Sequence, residues 1–367
     1  MRFGLHTGYW SAGPPPGMAD AVARADEAGF DSIWTAEAYG SDALTPLAWW
    51  GARTRRIRLA TGIAQMSART PTATAMAALT LDHLSGGRFV LGLGASGPQV
   101  VEGWYGQPYA KPLARTREYV AIVRDVLRRE APVTAPGPAY PLPLPDGVPG
   151  ATGQGKALRA TVHPLRADLP IHLAAQGPRN TALAAEIADG WLPAFLSPAL
   201  DGEARALLAE GFAARPADRR PAGEHDDAFE VCATVPTAVA GSVAEAVDLL
   251  RPHLALYAGG MGSQESNFHR EAMARLGYAD ALAEVAAHYA AGDRARAAAA
   301  VPEELVREVC LVGTPSDIAE QVARWETTCV TTLVLQTDPR ALPALASLLT
   351  PPAAVTAGPP AADGPPT

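Results

Sequence analysis

The stretch from Arg88 to Gly106, RFVLGLGASGPQVVEGWYG, determines how the rest of this sequence is interpreted. Its first part, Phe89 to Leu93, is apolar and has the length of a β-strand. The chain then passes into GASGP at 94–98, where small residues let backbone N–H groups approach a ligand closely. We therefore expect a buried strand that ends in a ligand-binding turn.

A second stretch repeats this arrangement further along the chain. Residues 171–180 read IHLAAQGPRN, so an apolar strand again runs into a turn of small residues. Pro178 suits the first turn of a helix, and the amides at a helix N-terminus form an anion site. Either turn alone could simply reverse the chain, as such turns do in many α/β proteins. The pair predicts a phosphate-bearing cofactor held at the ends of parallel strands.

Composition limits the class of protein. The chain has 367 residues, 48% of them hydrophobic, and 30 Lys and Arg against 38 Asp and Glu give a net charge of −8. An acidic chain disfavours nucleic-acid and anionic-membrane binding, so we expect a small-molecule substrate as the partner. We find no run of about 18 apolar residues that could span a bilayer, and no signal sequence after Met1.

The cysteines indicate a reducing compartment, and the spacing of both cysteines and histidines argues against a metal site. Cys232, Cys310 and Cys329 are too widely spaced for a disulfide framework or a metal knuckle. The 8 histidines show no paired spacing that is typical of metal ligands. We therefore expect a cytoplasmic protein with no bound metal.

Strand and helix patterns alternate along the chain. Eight apolar segments of strand type are predicted, at 2–7, 31–37, 57–65, 88–95, 171–175, 191–195, 229–239 and 331–336. Strands that are apolar along their whole length are typical of parallel strands buried on both faces. Eight β/α units in one domain predict a TIM (β/α)8 barrel, whereas a doubly wound sheet, the alternative, usually has fewer units.

Two insertions and a tail interrupt the alternation. A Pro/Gly-rich loop spans about 131–168, and a helical insertion spans about 259–308. Long loops in compact domains often serve as lids, so we expect the first insertion to cover the site. We interpret 1–350 as a single barrel domain, and 351–367, rich in Pro, Ala and Gly, as a disordered tail.

Two side chains at strand ends are candidate catalytic groups, because active sites of TIM barrels lie at the carboxyl ends of the strands. Glu37 ends the second strand and His6 ends the first, and both are candidate proton donors or acceptors. The alternative for Glu37 is a carboxylate paired with a neighbouring arginine. The alternative for His6 is a side chain that packs at the barrel mouth.

Five stretches, in order between about residue 1 and 348, carry a resemblance to a known family: DSIWTAEAYGSDALTPLAWWGA, IRLATGIAQMSARTP, LDHLSGGRFVLGLGASGPQVVEGWYG, IHLAAQGPRNTALAAEIADGWLP and GTPSDIAEQVARWETTCVTTLVLQT. The sequence resembles the luciferase-like flavin and deazaflavin oxidoreductase family. It is most similar to the coenzyme F420-dependent branch, which includes methylenetetrahydromethanopterin reductase. The resemblance implies a TIM barrel with insertions that commonly forms a homodimer.

The resemblance also implies a pocket for coenzyme F420, with FMN as the alternative cofactor. In F420-dependent members, the segment matching Thr61-Gly62-Ile63 carries a non-proline cis peptide bond behind the ring, which we therefore expect at Gly62–Ile63. The implied cofactor-binding residues are Gly62, Ile63, Ala64, Ala95, Ser96, Gly97, Ala174, Ala175, Gln176, Gly177 and Arg179. Those from 174 onwards match the phosphate-binding turn, although Arg179 could equally be a solvated surface arginine.

Departures from the family pattern bear on the reaction. Luciferase and the sugar-phosphate members have a histidine directly after the acid that ends the second strand, but Ala38 follows Glu37 here. The sugar-phosphate branch also has a glutamate where this chain has Pro98. Both differences disfavour sugar dehydrogenation, and the first also disfavours oxygen chemistry of the luciferase type.

The sequence therefore predicts a coenzyme F420-dependent oxidoreductase. Hydride would pass between the deazaflavin and a small organic substrate, most simply to reduce a C=C or C=N bond. An FMN-dependent luciferase-like monooxygenase would use the same barrel and is the alternative. A cofactor-free barrel that acts as a binding partner is the alternative of another class.

Overall fold

Parallel strands form a closed ring at the centre of the structure. The structure is a computed structural model that describes residues 1–217, 226–262 and 267–349, and the predicted tail lies outside the described residues. The strands of the described residues are β1 (Arg2–His6), β2 (Ser32–Thr35), β3 (Arg58–Thr61), β4 (Ala64–Gln65), β5 (Phe89–Gly94), β6 (Ile171–Ala174), β7 (Gly190–Leu192), β8 (Glu230–Val239), β9 (Leu311–Gly313) and β10 (Thr332–Gln336).

The order of the strands confirms the predicted barrel. Neighbours around the ring follow β1-β2-β3-β5-β6-β7-β8-β10, and every pairing is parallel. The strand β10 pairs with both β1 and β8, so the ring is closed and an open doubly wound sheet is excluded. The short strand β4 continues β3 and pairs with β5, and β9 pairs in parallel with the last residues of β8.

Helices surround the ring and alternate with its strands. Those of the described ranges are α1 (Met18–Ala28), α2 (Leu44–Gly51), α3 (Pro71–Ser85), α4 (Pro98–Gly103), α5 (Pro112–Arg128), α6 (Pro178–Ile187), α7 (Asp201–Ala213), α8 (Val243–Gly259), α9 (Phe268–Met273), α10 (Ala279–Ala290), α11 (Arg294–Ala299), α12 (Glu303–Val309), α13 (Pro315–Ala323) and α14 (Leu342–Leu345). In the parts of the chain described, none is long and apolar enough to cross a membrane.

Apolar side chains fill both sides of the ring, as expected for strands buried on both faces. Inside the barrel a compact group packs together, formed by Trp34, Ala60, Val90, Leu192, Cys232 and Val334. Outside it, the other faces of the strands pack against the helices in a larger core. The interior of the barrel is therefore solid and not a channel, which leaves its ends as the places for polar groups.

Ion pairs close the amino-terminal end of the barrel. Arg58 at the start of β3 contacts Asp31 at 2.5 Å and Glu230 at 3.0 Å, and Arg2 contacts Glu230 at 2.6 Å. These side chains come from the beginnings of neighbouring strands, so the pairs link the strands across the floor. The carboxyl ends stay free for a site.

A bulge interrupts the strand between β3 and β4. Ala60 pairs with Val90 and Ala64 pairs with Leu93, so four steps along one strand match three along β5. Between these pairs the Thr61 hydroxyl donates to the Gly92 carbonyl at 2.7 Å and accepts from the Gly92 N–H at 2.9 Å. A side chain thus replaces the missing ladder hydrogen bonds, as buried backbone groups require.

The Pro/Gly-rich loop at 131–168 contributes no residue to the cavity at the carboxyl end of the barrel, so the expectation that it forms a lid over the site is wrong. The last part of the loop is held near the amino-terminal end of the barrel, where Arg166 pairs with Asp82 at 2.5 Å and donates to the Phe89 carbonyl at 2.7 Å. The loop follows a helix, and helices of this fold deliver the chain to the amino-terminal end of the next strand. Its middle packs outside α5, where Tyr140 contacts Tyr119.

The helical insertion lies at the carboxyl end of the barrel, opposite the end at which Arg166 holds the loop. Its helices α9 to α12 share a core with α8, and α8 follows β8 directly. Because a chain leaving a strand of this barrel emerges at the carboxyl end, this insertion reaches the site.

We expect Gly92→Ala to destabilise the fold strongly. A Cβ at this position would lie 1.8 Å from the Thr61 carbonyl oxygen and 2.9 Å from Cδ1 of Leu192, so the strands must separate. The free energy of unfolding should fall by about 3 kcal/mol, measured by urea denaturation followed by circular dichroism. Gly202→Ala is the matched control, because a Cβ there meets no atom within 4 Å. Equal stability of the two variants would contradict this account of the bulge.

Candidate functional site

A cavity of about 620 Å³ opens at the carboxyl ends of the strands. Its walls come from the ends of the barrel strands and from the helical insertion. The sequence-predicted site residues that line it are His6, Glu37, Gly62, Ile63, Ala95, Ser96, Gly97, Ala174, Ala175 and Gln176. Residues distant in sequence thus meet around one space, as the barrel topology requires.

The bulge after β3 forms one wall of the cavity. The cis peptide bond expected at Gly62–Ile63 is present in the structure. A Cβ on Gly62 would lie 3.2 Å from Cε3 of Trp34, and a Cβ on Gly94 would lie 2.8 Å from Cγ1 of Ile63. Glycine at 62 therefore lets this wall pack directly against Trp34, and glycine at 94 in β5 leaves room for the side chain of Ile63.

His6 holds the carbonyl of this wall. The Gly8 N–H donates to Nδ1 of His6 at 3.0 Å, so Nε2 must carry the ring proton, and it lies 3.3 Å from the Gly62 carbonyl oxygen. Burial lowers the pKa of His6 to about 4, and the hydrogen bond to Gly62 opposes that shift. The imidazole is therefore neutral at pH 7, with both of its nitrogens engaged.

Glu37 is the acceptor of a buried ion pair. Its two carboxylate oxygens receive the guanidinium of Arg69 at 2.7 and 2.8 Å, and one of them also accepts the Gln65 N–H at 2.8 Å. The hydrogen bonds with Glu37 raise the pKa of Arg69, which burial alone would lower. The structure thus contains the arginine pair that was the alternative for Glu37, and its catalytic role remains a prediction.

The turn after β5 faces the cavity with small side chains and an unusual backbone. Ser96 has φ 58°, a left-handed conformation that is uncommon for a residue with a side chain. The Tyr109 hydroxyl donates to the Ser96 carbonyl at 3.1 Å and holds the turn from the far side. Ala95 and Gly97 on either side leave room for a flat ligand.

The turn after β6 leads into the N-terminus of α6. Gly177 has φ +76°, which favours glycine, and the Gln176 side-chain amide donates to the Ala194 carbonyl at 3.1 Å. Ala174 is exposed towards the cavity. The first amides of α6 therefore lie beside the cavity, where an anionic group would be stabilised.

Three predicted cofactor residues do not line the cavity. Ala64 is buried in β4, where it pairs with Leu93. Gly177 borders a separate small crevice, and Arg179 is exposed on the first turn of α6. Each is next to a lining segment in sequence but directed elsewhere in space.

The helical insertion supplies lining residues that the sequence reasoning did not assign to the site, since Tyr257 at the end of α8 and His269 in α9 both face the cavity. Tyr9, an aromatic residue after β1 whose position at a strand end is suited to the wall of a pocket, also faces it. The usable signal was that α8, the helix leading into this insertion, directly follows a strand, since the segments after the strands form the sites of TIM barrels. The residue types of Tyr257 and His269 did not by themselves indicate a place in the site.

A group of potential metal ligands lies at the barrel floor, away from the cavity. His172 directs Nε2 to Glu230 at 3.3 Å and Nδ1 to Cys232 at 3.9 Å, so the two partners face different ring nitrogens. Burial raises the pKa of Cys232 to about 12, which keeps it a thiol. Arg2 and Arg58 occupy the Glu230 carboxylate. This arrangement does not fit a cation.

The chain matches a family of known proteins along most of its length. The family model described as luciferase-like monooxygenase matches residues 2–332. The chain is 55% identical, over 335 residues, to a Mycobacterium tuberculosis (strain ATCC 25618 / H37Rv) protein named as a candidate coenzyme F420-dependent oxidoreductase. That match covers 91% of this chain and 94% of the relative.

More distant relatives agree with this match. The 5,10-methylenetetrahydromethanopterin reductase of Archaeoglobus fulgidus is 28% identical over 324 residues, covering 85% of this chain and 87% of that protein. The solved coenzyme F420-dependent tetrahydromethanopterin reductase of Methanopyrus kandleri has the same fold, with a TM-score of 0.75 at 21% identity over 94% of this chain and 97% of that one. The chain therefore belongs to the luciferase-like monooxygenase family and is homologous to methylenetetrahydromethanopterin reductase, which confirms the resemblance found in its motifs.

Proposed function

We propose that this protein is an oxidoreductase that uses coenzyme F420 and transfers hydride between the deazaflavin and a small organic substrate. One observation carries the proposal: the small-residue turns after β5 and β6 open into the same cavity at the carboxyl ends of the strands. The relative that is 55% identical is named for this cofactor, which supports the choice of F420 over FMN.

The residues of the cavity fit a planar cofactor with a phosphate. The volume of about 620 Å³ lies within the range of about 300–1,000 Å³ typical of ligand sites. Ile63 and Ala95 would face the ring, whereas Ala175 and Gln176 beside the start of α6 would hold the phosphate. When bound, the deazaflavin supplies or accepts the hydride.

In this proposal the two candidate catalytic residues position the cavity wall. His6 is neutral and donates its Nε2 proton to the Gly62 carbonyl, so it holds the wall in place. Glu37 is saturated by Arg69 and Gln65, and so anchors the segment that follows the wall. Because both carboxylate oxygens of Glu37 are occupied, its role in this proposal is to order the segment behind the wall.

For the bond acted on, we propose an activated C=C or C=N bond that is reduced. Homology to methylenetetrahydromethanopterin reductase supports reduction as the direction, without extending to that pterin as the substrate. Ala38, which follows Glu37, places a methyl group where luciferase has a histidine. This favours hydride transfer over the oxygen chemistry of an FMN-dependent monooxygenase.

We expect purified protein to bind coenzyme F420 at least about tenfold more tightly than FMN, a difference of about 1.4 kcal/mol. The measurement is a fluorescence titration with each cofactor. Ala174→Glu should weaken the binding of F420 by about tenfold, because it adds bulk and negative charge at a phosphate turn. Ala213→Glu, an exposed substitution at the end of α7, is the matched control and should bind normally.

Other outcomes of the titration would replace the proposal. A preference for FMN would indicate the monooxygenase alternative. Binding of neither cofactor by folded protein would indicate a cofactor-free binding barrel.

The positioning role of His6 predicts a difference between two substitutions. His6→Leu leaves the Gly8 N–H and the Gly62 carbonyl unpaired, so the affinity for F420 should fall by about tenfold. His6→Gln keeps a donor near the position of Nε2 and should bind F420 nearly as well as the natural protein. Loss of turnover in both variants, with unchanged F420 affinity, would instead make His6 the proton donor.

We also propose that the protein is a homodimer that buries helices α2 and α3. Trp49 on α2 and Met76 on α3 are 65% and 61% exposed, and these helices are neighbours. The remaining exposed residues of α2 are Thr45 and Ala48, and the guanidinium of Arg53, just after α2, lies 5.5 Å from the centroid of the Trp49 ring. Large exposed apolar residues, often beside an arginine, are typical of protein interfaces.

We expect Trp49→Glu to convert a dimer into a monomer, because it places a charge in the proposed interface. The measurement is size-exclusion chromatography with light scattering. Leu249→Glu on α8 is the matched control, since Leu249 is also 61% exposed but lies on a different helix. A natural protein that is monomeric, or a Trp49→Glu variant that remains dimeric, would refute the interface.

A further inference from the structure

We propose that Tyr257, assisted by Tyr9, donates a hydrogen bond to the carbonyl oxygen of an uncharged, conjugated carbonyl substrate. This inference rests on the proposed function, because it concerns the substrate end of the same cavity. It assigns a substrate class and a substrate-binding group that neither the motifs nor the family match supplies.

The ring of Tyr257 is fixed on three sides. It packs edge-on against Phe195, with ring centroids 5.0 Å apart, and against His269 at 4.9 Å, and it lies 4.8 Å from the ring of His253. Only 8% of the residue is exposed, and it borders the cavity. A phenol held in this way presents its hydroxyl with little loss of side-chain freedom on binding.

The backbone around this ring is also fixed, by the buried Asn267. Its amide nitrogen donates to the carbonyl of Tyr257 at 2.8 Å, and its amide oxygen accepts the N–H groups of His269 and Arg270 at 3.0 and 2.9 Å. Asn267 therefore joins the end of α8 to the start of α9. Tyr257 and His269, which both line the cavity, are parts of one rigid unit.

The polar groups at this end of the cavity are donors without charge. Burial raises the pKa of Tyr257 well above 10, so the phenol keeps its proton at neutral pH. Tyr9, which is 43% exposed, is hydrogen-bonded through its hydroxyl to that of Tyr257. Because hydroxyl hydrogens rotate, Tyr9 can donate to the Tyr257 oxygen while Tyr257 donates to a ligand. Burial lowers the pKa of His269 to about 4, which leaves a neutral imidazole.

Charged groups are nearly missing from the described part of the cavity wall. Among the lining residues within 1–217, 226–262 and 267–349, the one carrying a formal charge is Glu37, which Arg69 neutralises. A carboxylate or phosphate on the substrate would lose its hydration there without gaining a cation. An uncharged molecule with a hydrogen-bond acceptor would bind without that penalty.

The chemistry of a conjugated carbonyl matches this donor. Adding a hydride to the β carbon breaks the C=C π bond and moves its electron pair towards the carbonyl oxygen, where negative charge builds. A donor already aimed at that oxygen stabilises the charge. A proton from water then completes the α carbon, so one hydride and one proton are consumed. The reductant is the reduced deazaflavin of the proposed function.

The test compares benzylideneacetone, a neutral enone, with cinnamate, a carboxylate on the same phenylpropene skeleton. We expect the natural protein with reduced F420 to reduce benzylideneacetone and to act on cinnamate at least about tenfold more slowly. Tyr257→Phe keeps the ring and removes the hydroxyl, so kcat for benzylideneacetone should fall on the order of 100-fold. Tyr9→Phe should cause a smaller loss, because Tyr9 acts through Tyr257.

Two further readouts separate the role of the hydroxyl from folding and from cofactor binding. Thermal unfolding and F420 fluorescence titration should be unchanged in Tyr257→Phe. Binding of benzylideneacetone to the cofactor-free protein, followed by its absorbance band, should weaken by about tenfold and lose its red shift. Tyr278→Phe, in the same insertion but outside the cavity, is the matched control and should behave as the natural protein.

Failure of this inference differs from failure of the proposed function. If the natural protein does not bind F420, the proposed function is wrong. If F420 binds but Tyr257→Phe reduces benzylideneacetone at the natural rate, or the natural protein accepts cinnamate equally well or reduces neither compound, the assignment of Tyr257 and of an uncharged carbonyl substrate is overturned.

Discussion

The close approach of β3 to β5 is the constraint on which the site depends. Gly92 has no side chain, so the Thr61 carbonyl can lie where a Cβ would be, and the Thr61 hydroxyl takes over the hydrogen bonds of the ladder. With the ladder completed in this way, the strand can carry an extra residue and turn its Gly62–Ile63 segment into the cavity. The wall exists because two strands can approach this closely.

Charge is handled differently at the two ends of the barrel. At the floor, Arg58 and Glu230 form direct ion pairs that link strands and leave no partner free for a ligand. At the cavity, the one carboxylate among the lining residues that the structure describes, Glu37, is paired with Arg69, while burial keeps His6 neutral. The rest of the described wall presents uncharged groups, and a hydrogen bond to a substrate is stronger where competing charge is absent.

The two insertions show why length and composition did not identify the lid. The loop at 131–168 has the composition of a lid, but it follows helix α5 and returns to the amino-terminal end, where Arg166 ties it to Asp82. The helical insertion packs against α8, which follows β8, and together they contribute Tyr257 and His269 to the cavity. Which insertion reaches the site is decided by the elements against which it packs.

The sequence by itself determined the barrel, the order of its strands and the two small-residue turns, because periodicity and turn chemistry are local properties of a chain. The tertiary structure alone decided which neighbouring side chains face the cavity: Ala174 does and Ala64 does not. It also decided that Arg69 neutralises Glu37 and that the helical insertion brings Tyr257 to the site. Such contacts depend on the direction of each side chain after the ring has closed, and no local pattern encodes that direction.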